Sequence, residues 1–247
     1  MATNPGIDKA KYSEEGFLHL PSVLDGSALA AIHEGISEIL RQEKEAKAGQ
    51  PHFEKANRYR RFTLGLHYRN PAVGAYIRHP VFAALGRALL GDDVDLYFSS
   101  TLTKSEGRNA GVDWHQDIIY DPKRHEERFL CWTSITASFP ENGGLSVIPG
   151  SHRNGILPHE PSHSYENDLM VSGAGTEAAV PMRLAAGDIL VLHPLLVHGS
   201  PENASGGDRM ALMAGFQKPC PYTEAELKIR IEILKNGIHL PPSTKPE

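Results

Sequence analysis

Cysteine is nearly absent. Cys131 and Cys220 are the only two in 247 residues. Two cysteines do not build a disulfide framework in a chain this long, so they read as buried thiols in a reducing compartment. Long hydrophobic runs are missing too. No stretch approaches the roughly 18–20 apolar residues that span a bilayer, and Met1-Ala2-Thr3-Asn4-Pro5-Gly6 lacks the basic-then-apolar pattern of a secretory signal. These absences lead to the expectation of a cytoplasmic protein with no membrane partner. Basic excess is the third absence. Lys+Arg is 25 against Asp+Glu 30, a net charge of −5, which gives no footing for nucleic acid. There is no internal repeat, no low-complexity segment and no phosphate-binding glycine loop. Oligomeric state leaves no mark in the sequence.

What is present suffices for one large core. With 40% apolar residues, a single domain over 1–247 is expected: helical support over about 12–92, a β-rich core over about 93–218, and a helical or extended tail over 219–247. Residues 1–11 read as a loose leader. Tyr12 to Pro21 reads as a helical turn and then a short strand. Residues 25–48 read as a helix, capped by Asp25, with Leu29, Ile32, Ile36, Ile39 and Leu40 at helical spacing. A second helical region over 72–90 is interrupted at His79-Pro80, because a residue before proline avoids the helical conformation. From Val94 the pattern becomes short and alternating: 94–104, 129–138, 145–148, a run from Ile189 towards His198, and a return from Arg209 to Phe216, with turn signals between. Helices first and strands afterwards predict an α+β, mainly β layout, a barrel or sandwich with helices outside. Residues 155–180 lack periodicity and are the candidate active-site loop.

The chemistry concentrates in His115-Gln116-Asp117, answered by His198 and Arg209. Two histidines and a carboxylate are the ligand set of a facial iron(II) site, which keeps positions open for a co-substrate and oxygen. In a strand, residues two apart share a face, so His115 and Asp117 can reach one point. His198, near the end of the strand from Ile189, is the third ligand. Arg209 opens the returning strand beside it. Its planar guanidinium suits bidentate pairing with a carboxylate, as in a 2-oxoglutarate site. Other histidines are weaker candidates: His193 reads as packed or pocket-lining, His152, His159 and His163 as solvated loop residues, and His67 as a candidate pocket residue. Trp114, Ile118, Tyr120 and Phe216 are candidate pocket walls, with ordinary core as the competing reading for Tyr120 and Phe216. Arg58, Arg60 and Arg61 form a cationic cluster that either holds a substrate anion or is a solvated basic loop.

Taken together, Tyr12-Ser13-Glu14-Glu15-Gly16-Phe17, Trp114-His115-Gln116-Asp117, Cys131-Trp132-Thr133, Asn142-Gly143-Gly144-Leu145, Ile148-Pro149-Gly150-Ser151-His152 and Val197-His198-Gly199-Ser200 through Arg209 resemble the phytanoyl-CoA dioxygenase family of iron(II)/2-oxoglutarate oxygenases. The resemblance implies a double-stranded β-helix, a jelly-roll, cupin-like barrel with flanking N-terminal helices. It implies Fe(II) on His115, Asp117 and His198, and 2-oxoglutarate with its far carboxylate on Arg209. Trp132 would wall that site, with Gln116, Lys104 and Ser100 beside the co-substrate. With O2, such an enzyme hydroxylates a small molecule and releases succinate and carbon dioxide. The carboxylate of Asp117 argues against halogenation, in which a small residue replaces it. Desaturation, epoxidation and cyclisation stay open, as does a cupin-like metal-binding module without redox activity.

Overall fold

The computed structural model describes residues 6–50, 60–105, 111–120, 127–162 and 169–219. The first helix, α1 (Lys9–Glu15), begins inside the expected leader, because the Asp8 side chain accepts a hydrogen bond from the Lys11 amide and caps it. Gly16, at φ 82°, ends the helix in the left-handed conformation. Strand β1 (Phe17–Leu20) follows at once. Helix α2 (Gly26–Ala46) starts where expected, with the Asp25 carboxylate accepting from the amides of Ser27 and Ala28. Its apolar stripe buries Ile32, Ile36, Ile39 and Leu40. Strand β2 (Arg60–Leu64) leads to three short helices, α3 (Leu66–Arg69), α4 (Pro71–Ile77) and α5 (Pro80–Leu85). Prolines open α4 and α5 at positions where a missing N–H is harmless. The break at His79-Pro80 is the one the sequence predicts. A π-helical turn, Gly86–Leu90, ends the region.

The strands that follow are β3 (Asp95–Lys104), β4 (Val112–His115), β5 (Arg128–Ser134), β6 (Ser146–Val147), β7 (His159–Pro161), β8 (Leu169–Val171), β9 (Val180–Pro181), β10 (Ile189–Leu192), β11 (His198–Ser200) and β12 (Arg209–Gln217). A six-stranded antiparallel sheet runs β1-β10-β5-β12-β3-β2, a four-stranded antiparallel sheet runs β4-β11-β6-β9, and β7 pairs with β8. β1 is the short strand expected before Pro21, whereas β2 comes from the segment expected to be helical support. The β7–β8 pair lies in the segment expected to be unstructured.

Side-chain alternation gives the large sheet two apolar faces. Phe129, Cys131, Ile189, Val191, Leu212, Ala214 and Phe216 pack with α2 and the short helices. Leu130, Trp132, Leu190, Leu192 and Ala211 face the other way and cluster with Leu145, Val147, Met182 and Leu196 of the second layer. The architecture is therefore helices, large sheet, small sheet. The two sheets do not close into the expected barrel: no ladder joins their edges among the described residues. The small sheet is built from strands of only two to four residues. Its ladder shifts register between His198 and Ser200, and Pro181 sits on its edge strand without an N–H to donate.

The run from Ile189 to His198 is also two strands rather than one. β10 stays in the large sheet, the chain turns at His193-Pro194, and β11 enters the small sheet. Proline removes a ladder donor and forces its predecessor out of a continuing pattern. Arg209 accordingly does not lie on a neighbour of β11. β12 pairs with β3 and β5 in the opposite sheet. No helix among the described residues is long and apolar enough to cross a membrane.

Candidate metal centre

His115 ends β4 and His198 opens β11, and the two are register partners in the small sheet. Their rings sit 4.2 Å apart. Asp117 is not on the strand, as spacing suggested. The chain turns after His115, and Asp117 begins a 3-10 helix, Asp117–Tyr120. The turn still brings its carboxylate back between the rings. Oδ1 is 3.6 Å from Nε2 of His115, and Oδ2 is 3.7 Å from Nε2 of His198. These separations are too long for hydrogen bonds. One ligand atom from each of the three residues lies within 4.8 Å of the others.

The second nitrogen of each ring fixes its tautomer. Nδ1–H of His115 donates to the Asp113 carbonyl at 2.8 Å, and Nδ1–H of His198 to the Leu196 carbonyl at 2.9 Å. With Nδ1 as the donor, each ring presents Nε2 towards the Asp117 carboxylate. His198 is buried, and burial, with His115 nearby, pushes its pKa down to about 4. Burial pushes the Asp117 carboxyl up, but His198 and His115 outweigh it and hold it below its ordinary value. Oδ2 of Asp117 is buried with no hydrogen-bond partner. A neutral His198 imidazole, an ionised carboxylate and a buried carboxylate oxygen without a hydrogen-bond partner are what a divalent metal needs from its ligands. Two nitrogens and one oxygen fit iron(II).

Across the gap, the inward face of the large sheet carries the cations. Arg209 and Lys104 are register partners on β12 and β3, and both are buried. Arg209 donates from Nη1 to the Leu102 carbonyl at 3.0 Å and from Nη2 to the Gly143 carbonyl at 3.2 Å, while its Nε has no partner. No carboxylate pairs with it among the described residues, and burial pushes its pKa down to about 9. Its guanidinium carbon lies 5.4 Å from the Trp132 ring centroid. Four residues along the register, on the same face, Ser100, Met213 and Trp132 stand side by side. Ser100 Oγ and Trp132 Nε1 are both buried without a partner. Buried polar atoms are almost always satisfied, so three orphans on one face mark a place for an oxygen-rich anion. Lys104 Nζ donates to Ser200 Oγ at 2.7 Å and to the Pro201 carbonyl at 2.6 Å, tying the large sheet to the end of β11.

Other residues fall differently from their reading. The Gln116 amide does not stand open for a co-substrate: the backbone of Gly155, Leu157 and Leu195 engages it at both ends. His67 bonds Ser99 Oγ at 2.6 Å, and Ser99 points to the face opposite Ser100, so His67 is not beside Arg209. Phe216 is core, stacked between Phe82 and Phe129. His152, expected in solvent, is buried, with its ring 4.9 Å from that of His193. His159, also expected in solvent, accepts from the Gln116 amide and donates to Leu157. The Gly143 carbonyl and Asn203, which donates to the Lys104 carbonyl at 2.9 Å, have no side-chain signature that the sequence exposes as functional. Arg58, His163, Cys220 and the tail from 220 lie outside the described residues, as do the side chains of Arg60, Arg61 and Tyr120.

The family model for phytanoyl-CoA dioxygenase (PhyH) matches residues 12–211. The peroxisomal phytanoyl-CoA dioxygenase of Bos taurus is 34% identical over 119 residues, which cover 45% of this chain and 35% of that protein. L-proline trans-4-hydroxylase of Streptomyces griseoviridis is 25% identical over 237 residues, 85% of each chain. Among solved structures, EvdO2 from Micromonospora carbonacea var. aurantiaca, complexed with 2-oxoglutarate, superposes with a TM-score of 0.69 at 23% identity, covering 91% of this chain and 96% of that one.

Proposed function

Since the chain belongs to the phytanoyl-CoA dioxygenase (PhyH) family, we propose that it is an iron(II)- and 2-oxoglutarate-dependent dioxygenase that hydroxylates an unactivated C–H bond of a small molecule. The observation that carries this reading is the pairing of two features: three convergent metal ligands, and a buried arginine with no carboxylate partner on the facing sheet. A metal-binding module without redox activity needs the first and has no use for the second.

His115, Asp117 and His198 would hold Fe(II). Bound together, Fe(II), 2-oxoglutarate and O2 supply the oxidising power, ending in succinate, carbon dioxide and a hydroxylated product. The protein's own part is positioning. Arg209 receives the far carboxylate, already aimed by its bonds to Leu102 and Gly143. Trp132 walls that carboxylate and offers Nε1–H, Ser100 offers its hydroxyl, and Lys104 places a second cation on the same strand pair. The apolar cluster of Leu130, Leu190, Leu192 and Ala211 keeps this region dry, which strengthens each charge-assisted bond. The Nδ1 bonds of the two histidines stop their rings from rotating away from the metal.

We read the facing sheets as a double-stranded β-helix, cupin-like and incompletely closed, and the chain as a single domain in the cytoplasm. The buried free thiol of Cys131 suits a reducing compartment. The Streptomyces relative acts, by its name, on L-proline, which makes compact polar substrates a reasonable first panel. Desaturation, epoxidation or cyclisation would use the same residues, and product mass separates them from hydroxylation.

The test is anaerobic. Iron(II) and then 2-oxoglutarate added to metal-free protein should give a visible metal-to-ligand charge-transfer band, absent in His198→Ala. Iron binding with no band on adding the keto-acid would favour the non-redox module instead.

A further inference from the structure

Gln116 stands between two metal ligands, yet its side chain points away from them. Successive residues of an extended segment face opposite sides, so a strand end that turns His115 towards the metal turns Gln116 into the protein. There it is completely buried. Its amide is used at both ends. Nε2 donates to the Leu195 carbonyl at 2.7 Å and to the Gly155 carbonyl at 2.9 Å, and Oε1 accepts from the Leu157 amide at 2.9 Å. Its backbone N–H donates to Nε2 of His159 at 3.4 Å, and Nδ1–H of His159 returns to the Leu157 carbonyl at 2.7 Å.

These bonds join three separate pieces of chain. The first is the turn carrying His115 and Asp117. The second is the chain just before His198, for Leu195 precedes Leu196, whose carbonyl fixes the His198 tautomer. The same turn is tied there again by the Ile118 amide, which donates to the Pro194 carbonyl at 3.1 Å. The third is residues 155–159, the start of the segment that leads into β7. Only an amide of this length gives two donors and one acceptor in that arrangement.

We propose that Gln116 is a positioning residue that couples metal occupancy to the order of residues 155–159. A metal that fixes His115, Asp117 and His198 also fixes the turn and the Leu195 carbonyl, and so holds Gln116 in place to clamp Gly155 and Leu157. By reciprocity, an ordered 155–159 segment raises metal affinity by the same factor. The inference rests on the metal-centre reading above and goes beyond it by giving the middle residue of the motif a duty towards the protein rather than the co-substrate.

Cobalt(II) alone is the probe, read by its visible absorption and by amide hydrogen exchange on the full chain. In the wild type, cobalt(II) should slow exchange at the Leu157 and His159 amides. Gln116→Met keeps length and volume but removes every side-chain hydrogen bond. It should raise the cobalt(II) dissociation constant about 10- to 100-fold, the range for losing a partner that orients metal ligands. It should also abolish the cobalt-dependent slowing at 155–159 while exchange in β3, β5 and β12 stays at wild-type rates. His159→Leu, which removes the two bonds of the imidazole but leaves the Gln116 side-chain amide in place, should give a smaller loss in the same direction. Cobalt affinity within twofold of wild type in Gln116→Met overturns the proposal, as does wild-type exchange at 155–159 that ignores the metal. The wild-type exchange arm and His159→Leu decide the matter if Gln116→Met does not fold. A wild-type protein that binds no cobalt would sink the metal centre itself, a different failure from equal binding by both proteins.

Discussion

Arg209→Met separates two effects that most site variants confound. In the metal-loaded protein, the guanidinium is the proposed partner of a buried carboxylate. Removing one member of a buried, hydrogen-bonded charge pair costs about 2–5 kcal/mol, which is roughly 30-fold to several thousand-fold in dissociation constant. In the ligand-free protein, the arginine is a liability. Burial lowers its pKa from 12.5 to about 9, and at about 1.4 kcal/mol per unit that is on the order of 5 kcal/mol of destabilisation at neutral pH. Opposing this, its loss leaves the Leu102 and Gly143 carbonyls without their donor, at about 1–3 kcal/mol each. The two nearly cancel, so Arg209→Met should melt within about 10 °C of wild type at roughly 2–4 °C per kcal/mol while losing 2-oxoglutarate. Calorimetric titration of 2-oxoglutarate into anaerobic iron(II) protein gives the affinity, and calorimetric melting of the metal-free protein gives the stability. A keto-acid affinity within threefold of wild type would refute the carboxylate clamp. A collapse of the ligand-free fold would show that Arg209 is kept for its backbone bonds.

Gly143 has φ +79°, and an added Cβ would come within 2.7 Å of Lys104 Cδ and 3.1 Å of the Pro201 carbonyl. Gly143→Ala should therefore destabilise by about 1–3 kcal/mol and weaken 2-oxoglutarate binding, since the Gly143 carbonyl aims Arg209; urea unfolding and the same titration measure both. Ile36 is fully buried on the helix side of the large sheet. Ile36→Ala should cost about 2–5 kcal/mol and leave iron affinity at the wild-type value, a separation that equal losses in both would contradict. His198 is buried neutral with a pKa of about 4, below its ordinary 6.5, so the unfolded chain takes up the proton first. The stability this contributes is complete above about pH 6.5 and is lost as pH falls through 4, on the order of 3 kcal/mol. Chemical denaturation of the metal-free protein across that range should show the slope, and His198→Phe should flatten it.

Much of the metal centre was legible because it depends on residue type and short spacing. His115, Asp117, His198 and Arg209 are chemically distinctive, and they sit in the β-rich half of the chain. The α2 boundary was legible for a similar reason: Asp25 caps and the apolar stripe repeats at 3.6 residues. The path from Ile189 to His198 was not. A continuous apolar run looks the same whether it stays in one sheet or crosses to another, and only His193-Pro194 hinted at the crossing. His152 and His159 were misplaced because their segments are short, polar and aperiodic, yet the fold buries His152 and bonds His159 to the Gln116 backbone.

The sequence by itself determined which atoms could bind a metal and an anion, and that helices would gather before about residue 92 and most strands after it, since both follow from side-chain chemistry and local periodicity. Only the tertiary structure decided how those atoms meet. The sheet assignment put Arg209 across from the metal ligands rather than beside them. The turn after His115 delivered Asp117 from a 3-10 helix. The burial of Gln116 handed its amide to two distant backbone segments. Each of these rests on pairing between residues far apart in the chain, where register and packing, not local preference, set the energy.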